Sequence, residues 1–328
     1  MSDNIPSPIP DISIVIVSWN TRDLLVECIE SVYRTTTLPS FDIWVVDNAS
    51  SDDSVQVLRE KFPEVKVIQS ASNVGFGKAN NRAIKASKGK TVLLLNSDVV
   101  LTDGALDTMW RVFQEHPQVG VLGCTLIWPD GGVQDSWHTY IPFGPKLKKN
   151  LKRLPDGLEE ALLIWAAFLL VRREVYDQVG VFDEDFVLFY EDFDWCWRVH
   201  KAGITIACYP EVRVLHGSRK SAGKLPSDTY WRWMFTAEYL LFGKHHSPFV
   251  HKRHMTRKLI SYTIKMHLHW WVHKLTGSQL HADVTRRFKI ALSVIKVLKD
   301  PKVITEGGET LRNLWTSCER PESEVESR

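Results

Sequence analysis

The chain has 328 residues, of which 44% are hydrophobic and 24% are charged, and its formal net charge is +2. This length suits one large domain with an appendage, and the composition excludes a disordered chain and a polytopic membrane protein. No segment reaches the ~20 apolar residues of a membrane span, and the polar start lacks the basic residues of a signal peptide.

The number and spacing of the cysteines indicate the redox state of the cellular compartment. There are five of them, an odd number, and none forms a Cys-x-x-Cys pair. This pattern favours neither a disulfide framework nor a zinc knuckle. We therefore expect a protein of the reducing cytoplasm.

Strand and helix patterns alternate from the start of the chain. Short β-branched runs predict strands at residues 12–18, 41–46, 65–69 and 91–95. Apolar residues at helical spacing follow at residues 21–33, 54–62, 78–87 and 104–115. This alternation predicts an α/β fold with a mostly parallel sheet covered on both faces by helices. After residue 120 the pattern changes to short strands, turns and a loop at residues 142–155.

Polar residues follow the predicted strands, where ligands of open parallel sheets bind. Asp47 ends one strand and Asp98 follows another. Either carboxylate alone is most simply a turn or cap residue. Together they suit a site that holds a ribose or base on one side and a cation on the other. Hard oxygen ligands favour Mg²⁺ or Mn²⁺, which would bridge a diphosphate.

A glycine-containing segment, NVGFGKAN at residues 73–80, lies between a predicted strand and helix. It lacks the third glycine of the dinucleotide fingerprint and the Gly-Lys-Ser/Thr end of a P-loop. Two interpretations stay open: a strand-to-helix turn with glycines at positive φ, and a segment that lines a nucleotide site.

A cluster at residues 189–198, FYEDFDWCWR, sets three carboxylates among five aromatic residues. Carboxylates in apolar surroundings bind a cation or a proton, or have a pKa that is shifted to suit acid and base chemistry. Helical spacing brings Glu191 and Asp194 near Arg198 and places Asp192 on a different face of the helix. Glu191 and Asp194 can thus pair with Arg198, which leaves the Asp192 carboxylate free of this pairing. His216 follows on a new strand, and a lone histidine is most often a packed or solvated residue.

Ordered motifs give a resemblance over residues 12–220. SIVIVSWN (13–20), VVDNASSD (45–52), NVGFGKANNRA (73–83), LLLNSDV (93–99) and residues 182–216 resemble the successive motifs of family 2 glycosyltransferases. Within that family the chain is most similar to bacterial rhamnosyltransferases. The resemblance implies a GT-A fold, a nucleoside-diphosphate sugar donor, a divalent metal (Mg²⁺ or Mn²⁺) and inversion at the anomeric carbon.

The resemblance also implies roles for individual residues. Asp192 would be the catalytic base, with Glu191 beside it, and Asp98 and His216 would bind the metal. The donor would be contacted by Ser18, Trp19, Asp47, Gly75, Asn81, Asn96 and Ser97. The chain departs from the family where Asn96 replaces the first aspartate of the D-x-D motif, and a neutral amide is a poor metal ligand. Trp19 suits a stacking role and a core role equally.

The C-terminal region is strongly basic. Residues 244–302 hold 13 Lys or Arg against two acids, a net charge of +11, so the remainder carries −9. Apolar stripes at helical spacing lie in residues 258–275 and 288–298. Two alternatives stay open and are compatible: helices packed on the catalytic body, and a peripheral membrane contact through residues 244–302. No nucleic-acid-binding module is recognisable, and we expect no nucleic-acid partner.

We therefore expect a tail (1–10), a GT-A catalytic domain (11–225), a basic helical region (226–305) and a disordered tail (306–328). The expected enzyme is an inverting glycosyltransferase at the inner face of the cytoplasmic membrane. It would transfer a sugar, by resemblance rhamnose from dTDP-rhamnose, to a lipid-linked or polysaccharide acceptor. The alternatives are a catalytically inactive sugar-nucleotide-binding protein and a nucleotidyltransferase. A nucleotidyltransferase would need a basic, glycine-rich first loop. Residues 17–20 (VSWN) are neither basic nor rich in glycine.

Overall fold

A computed structural model describes residues 8–146, 154–217, 227–306 and 311. The chain divides into two compact units, one formed by Met1–Asp183 with Asp192–Ser221 and the other by Glu184–Glu191 with Ala222–Arg328. The sequence-based division at residue 225 did not anticipate that residues 184–191 group with the C-terminal unit. Within the described ranges, every helix is too short or too polar to cross a bilayer.

The first unit contains a large sheet and a two-stranded ribbon. The strands are β1 (Ile12–Ser18), β2 (Phe41–Asp47), β3 (Lys66–Gln69), β4 (Thr91–Asn96), β5 (Val99–Val100), β6 (Val119–Ile127), β7 (Trp137–His138), β8 (Glu159–Ala161), β9 (Leu163–Ile164), β10 (Phe168–Arg172) and β11 (Thr205–His216). The order in the sheet is β3-β2-β1-β4-β10-β6-β11-β5 with β8 beside β11, and β7 pairs with β9. The first four strands run parallel, β6 parallels β11, and β10 lies antiparallel between β4 and β6. The sheet is mostly parallel, as predicted.

Six helices accompany this sheet in the described part of the first unit. They are α1 (Arg22–Thr35), α2 (Ser54–Lys61), α3 (Phe76–Ala86), α4 (Ala105–Glu115), α5 (Arg173–Val179) and α6 (Glu191–Lys201). Alternate side chains of β1 point to opposite faces, and those of Ile14 and Val15 are both fully buried. The sheet is therefore covered on both faces, as its continuous apolar strands predict.

The strand registers place the polar strand ends together. Ser18 pairs with Asp47 across β1 and β2, and Val17 pairs with Asn96 across β1 and β4. On the other side of the sheet, β5 pairs antiparallel with the end of β11, so that His216 lies opposite Val99. The chain between Asn96 and Val99 is thereby held between the parallel strand ends and His216.

The second unit is helical. Its described helices are α7 (Ser227–His245), α8 (Pro248–Thr276), α9 (Gln279–Leu298) and α10 (Pro301–Glu306). Helix α8 begins with Pro248 after the cap Ser247, whose hydroxyl accepts from the N–H of Val250, and ends at Gly277 with φ +66°. These are ordinary start and stop signals, and they produce a helix of 29 residues.

Candidate active site

The first feature of the site is a contact between Asp98 and His216. Asp98 Oδ1 lies 3.4 Å from His216 Nε2, and both side chains are buried. The N–H of Gly217 donates to the carbonyl of Asp98 at 2.8 Å, which fixes the two segments to each other. Strand pairing thus brings together a carboxylate oxygen and an imidazole nitrogen of the two residues that the resemblance assigns to the metal.

The hydrogen bonds of His216 define its tautomer. Its Nδ1 lies 2.8 Å from Oε1 of Gln134, an atom that can only accept, so Nδ1 carries the proton. Gln134 Nε2 donates in turn to the carbonyl of His216 at 2.8 Å. On the other side of the ring, Asn96 Nδ2 lies 3.3 Å from Nε2 and acts as the donor. The Nε2 atom thus lies on the side of Asp98 and Asn96.

These residues fit a divalent cation. An imidazole whose Nδ1–H is held by a second residue presents Nε2 as a ligand in a fixed orientation. Asp98 supplies a carboxylate oxygen beside it. No group of three or more His, Cys, Asp or Glu side chains suited to a metal occurs within the described ranges. Asp98 and His216 would hold such a cation, which would neutralise charge on a bound diphosphate.

Asp47 offers a second binding group at the strand ends. Its side chain is 3% exposed. Oδ2 accepts from the N–H of Ser50 at 3.2 Å, whereas Oδ1 is buried with no hydrogen-bond partner among the described residues. An unsatisfied buried carboxylate oxygen costs free energy unless a ligand donates to it. A ribose hydroxyl or a base N–H is such a donor, which agrees with the role predicted for Asp47.

Buried hydroxyl groups connect the ends of β1 and β4. Ser18 Oγ lies 2.9 Å from Thr21 Oγ1, which lies 3.0 Å from Ser97 Oγ. Two of the predicted donor-binding residues, Ser18 and Ser97, are therefore linked through a residue that the sequence did not indicate. Trp19, which follows Ser18 in the chain, is partly buried.

The glycine-containing segment forms a turn. Gly75 has a φ of +88° and caps α3, whereas Gly77 lies inside the helix. The prediction of positive φ is thus right for Gly75 and wrong for Gly77, because α3 begins at Phe76 rather than at residue 78. Asn48 holds the turn, donating to the carbonyl of Gly75 at 3.2 Å and accepting from the N–H of Val74 at 2.9 Å.

Asn81 faces the protein interior. Its Nδ2 donates to the carbonyl of Phe182 at 2.9 Å, and its Oδ1 accepts from the N–H of Phe182 at 3.0 Å. These two bonds join α3 to the segment that precedes α6. Both ends of the Asn81 amide thus bind backbone, and its contact with a donor stays a prediction.

Asp192 lies in the first turn of α6 and is partly buried. Its Oδ2 accepts from the N–H of Ala166 at 3.3 Å, and its Oδ1 accepts from the N–H of Phe193 at 3.0 Å. Desolvation by burial raises the pKa of Asp192 to about 6, although these hydrogen bonds act in the opposite direction. A carboxylate with this pKa is a stronger proton acceptor than an ordinary aspartate and is still ionised at neutral pH.

The other charged residues of α6 have structural contacts. Arg198 Nε lies 2.8 Å from Asp194 Oδ2, as the helical spacing predicts. The guanidinium also donates to the carbonyls of Val179 and Val181, each at 2.9 Å. Glu191, the second candidate base, is buried at the start of the helix. The Asp194 pair keeps Arg198 directed at the segment that follows α5.

Residues 164–167 connect Asp192 with the strand ends. The N–H of Ala166 binds the Asp192 carboxylate, and the carbonyl of Ala167 accepts from the N–H of Asn96 at 3.0 Å. The neighbouring N–H of Trp165 donates to the carbonyl of Ser136 at 2.9 Å. Backbone bonds thus tie the candidate base to the same framework as Asn96 and Asp98. The basic residues Arg219, Lys220 and Lys224 lie outside the described ranges.

The mostly parallel sheet carries Asp47 at the end of β2 and the Asp98–His216 pair beyond the end of β4, and Asp192 lies in the first turn of α6, an arrangement that resembles a GT-A glycosyltransferase. Comparison with known sequences agrees, because the family model described as Glycosyl transferase family 2 matches residues 13–180, about half of the chain. The chain belongs to glycosyl transferase family 2.

Two relatives have informative names. The O-antigen biosynthesis protein RfbC of Myxococcus xanthus is 28% identical over 68% of this chain, which spans only 18% of the length of RfbC. The N-acetylglucosaminyl-diphospho-decaprenol L-rhamnosyltransferase of Mycobacterium tuberculosis is 27% identical, and the match covers 84% of this chain and 96% of the relative. The second relative therefore corresponds to nearly the whole chain.

Solved structures show the same fold. TarS of S. aureus in complex with UDP-GlcNAc has a TM-score of 0.55 at 16% identity, covering 90% of this chain and 92% of TarS. The mannosyltransferase PcManGT of Pyrobaculum calidifontis, in complex with GDP-Man and Mn²⁺, has a TM-score of 0.54 at 14% identity, covering 90% and 88%. At these identities the likeness establishes the GT-A fold alone.

Proposed function

We propose that the chain is an inverting glycosyltransferase that moves a sugar from a nucleoside diphosphate to a hydroxyl group, with Asp192 as the base. The observation that carries the proposal is the Asp192 carboxylate, partly desolvated with a pKa of about 6 and held by backbone N–H groups. Such a group is ionised at neutral pH and can accept the proton of an acceptor hydroxyl.

The chemical step is a single displacement. Asp192 takes the proton of the acceptor hydroxyl, and the acceptor oxygen forms a bond to the anomeric carbon. The bond from that carbon to the diphosphate oxygen breaks on the opposite face, and the nucleoside diphosphate leaves with its electron pair. A divalent cation held by Asp98 and His216 would neutralise the charge that develops on the leaving diphosphate. Asp47 would accept a hydrogen bond from the nucleoside, since its Oδ1 is buried without a partner among the described residues.

The donor and the acceptor belong to the proposal too. We propose that the donor is a deoxyhexose nucleotide such as dTDP-rhamnose and that the acceptor is lipid-linked. The Mycobacterium tuberculosis relative, which spans nearly the same length, is named as an L-rhamnosyltransferase of N-acetylglucosaminyl-diphospho-decaprenol. RfbC, named for O-antigen biosynthesis, supports a role in cell-surface glycan synthesis. An acceptor carried on a lipid would place the enzyme at the cytoplasmic face of the membrane.

Replacing Asp192 tests the assignment of the base. Asp192→Asn keeps the shape of the side chain but removes its capacity to accept a proton at neutral pH. We expect the transfer rate to fall by about 10² to 10⁴, measured with a labelled donor and a lipid-linked acceptor. Donor affinity, measured separately by calorimetry, should change little, because Asp192 acts on the acceptor.

Asp130→Asn is the matched control, since Asp130 lies in an exposed turn of the first unit. It should transfer at the wild-type rate. Transfer by Asp192→Asn at the wild-type rate would refute the base assignment. Donor binding without any transfer by the wild-type chain, across a panel of nucleotide sugars and acceptors, would favour an inactive binding protein.

A further inference from the structure

Helix α8 presents a continuous apolar stripe to the surface of the helical unit. Its members are Ile260, Ile264, Leu268, Trp271 and Leu275, which are between 57% and 80% exposed. They recur at intervals of three or four residues and therefore share one face of the helix. Exposed apolar side chains scattered singly are ordinary, whereas a contiguous stripe marks a surface that another body covers.

Helix α9 provides an internal comparison. Its apolar residues Ala291, Leu292, Ile295 and Leu298 have the same helical spacing, and they are between 0% and 8% exposed. Tyr262 of α8 meets Phe288 of α9 with ring centroids 5.1 Å apart. The two helices thus pack through the other face of α8. The stripe on α8 is additional apolar surface that the packing of the described helices does not use.

Positive charge surrounds this stripe. Residues 248–276 contain six Lys or Arg and no Asp or Glu. The spacing of the stripe continues toward the start of the helix as Phe249, Arg253 and Arg257, all exposed. These three residues, with Lys252 and Thr256, line a shallow surface depression. One face of α8 therefore has a basic end and an apolar end.

Charge complementarity indicates what binds to this face of α8. A second copy of the chain, packed symmetrically, would set the same cationic helix against itself, and like charges across an interface are repulsive. The face of an anionic bilayer offers phosphates for the arginines and an acyl boundary for the apolar stripe. Exposed tryptophan also favours the headgroup region, and Trp270 and Trp271 are both exposed.

We infer that α8 lies in the plane of an anionic phospholipid bilayer, with the stripe from Ile260 to Leu275 in the acyl boundary and Arg253 and Arg257 at the phosphates. The inference goes beyond glycosyl transfer and does not depend on it, since binding to lipid requires neither donor nor acceptor. For a lipid-linked acceptor, such binding would hold the enzyme on the surface in which its substrate diffuses.

Vesicle flotation of the full chain tests the inference. We expect binding to vesicles of equimolar phosphatidylcholine and phosphatidylglycerol, and at least about tenfold weaker binding to phosphatidylcholine alone. The triple variant Ile264→Ser, Leu268→Ser, Trp271→Ser should bind the mixed vesicles on the order of 100-fold more weakly, because the inserted apolar area is lost. The double variant Arg253→Gln, Arg257→Gln should lose about tenfold or more at low salt and less at high salt.

The control removes equally exposed apolar side chains elsewhere. Leu38 and Val133, in the first unit, are 63% and 62% exposed. Leu38→Ser with Val133→Ser should leave vesicle binding unchanged, and thermal melting should show that every variant is folded. Equal binding to both vesicle types at low salt, or wild-type binding by the triple variant, would overturn the inference. The inference would also be overturned if the wild-type chain formed a dimer but did not bind vesicles, and if the triple variant were monomeric. A second copy of the chain would then cover the stripe.

Discussion

At the scale of single residues, the behaviour of Asp192 depends on two opposing influences. Burial removes water from the carboxylate and raises the pKa, and the N–H groups of Ala166 and Phe193 favour the ionised form. Burial prevails, and the pKa is raised from 3.8 to about 6. Keeping a charge in this poorly solvated position costs free energy, and such positions are common for catalytic acids and bases.

The raised pKa predicts a pH profile. A base must be deprotonated, so the transfer rate should be constant above the pKa of about 6 and should fall as the pH drops through it. Below that point the loss should approach tenfold per pH unit. The measurement is the rate at saturating donor and acceptor from about pH 8 to about pH 4.5. A profile that stays flat down to the pKa of an ordinary aspartate would contradict this role.

The sequence did not indicate Gln134, which contacts the proposed metal ligand His216. Gln134→Leu removes the acceptor for Nδ1–H of His216 while keeping similar volume, so the ring loses its fixed tautomer and orientation. Removing such a partner typically weakens metal binding by about 10- to 100-fold. Titration with Mn²⁺ in the presence of a nucleoside diphosphate, followed by electron paramagnetic resonance, measures the change.

Gln56→Leu is the matched control for this experiment, because Gln56 lies exposed on α2. It should bind Mn²⁺ as the wild-type chain does. If Gln134→Leu also binds as tightly as wild type, Gln134 does not orient the metal ligand.

At the scale of secondary-structure elements, Arg198 fixes α6 to the end of α5 through two contacts, with the carbonyls of Val179 and Val181, while the pair with Asp194 lies within α6. Arg198→Lys would keep the charge for Asp194 but would leave the carbonyls of Val179 and Val181 without this donor. We expect a loss of about 1 to 3 kcal/mol in stability, measured as a lower midpoint of thermal unfolding.

Lys201→Arg serves as the comparison for Arg198→Lys, since Lys201 is an exposed residue of the same helix. Its midpoint should stay close to that of the wild-type chain. An unchanged midpoint in Arg198→Lys would show that the two carbonyl contacts contribute little.

The secondary-structure elements also show which features of the structure could be predicted from the sequence. The bounds of β1 coincide with the prediction, and Asp47 and Asp98 were found because they follow recognisable buried strands. Gln134 and Ala166 could not be found in this way. Gln134 lies in an irregular segment and contacts a histidine 82 positions away, while Ala166 contributes only a backbone N–H. No local pattern encodes either contact.

Helices α8 and α9 illustrate a second limit. Both have apolar stripes at helical spacing, and the sequence predicts a helix in each case. Spacing identifies the face that avoids water but not what covers it. The structure buries the stripe of α9 and leaves that of α8 exposed, a difference that arises from packing between helices.

At the scale of the whole molecule, the helical unit includes a short segment that lies before Asp192 in the chain. Residues 184–191, which precede Asp192, belong to the helical unit. Within that unit Lys244 Nζ lies 2.6 Å from Asp185 Oδ2, and the rings of Phe189 and Tyr230 are 5.1 Å apart. Phe189 and Tyr190 both have positive φ, which costs free energy in residues other than glycine. Contacts within the helical unit thus help to fix the conformation of residues 184–191.

A turnover assay measures metal-dependent transfer from a nucleoside-diphosphate sugar. The full chain is incubated with a panel of such donors and a lipid-linked acceptor, with EDTA, with Mg²⁺ and with Mn²⁺. We predict turnover of one donor class, loss of turnover with EDTA, and recovery when Mn²⁺ or Mg²⁺ is restored in excess, because the charge on the leaving diphosphate needs a cation. Turnover that EDTA leaves untouched would contradict the role of Asp98 and His216, and an absence of turnover with every donor would contradict the enzyme itself.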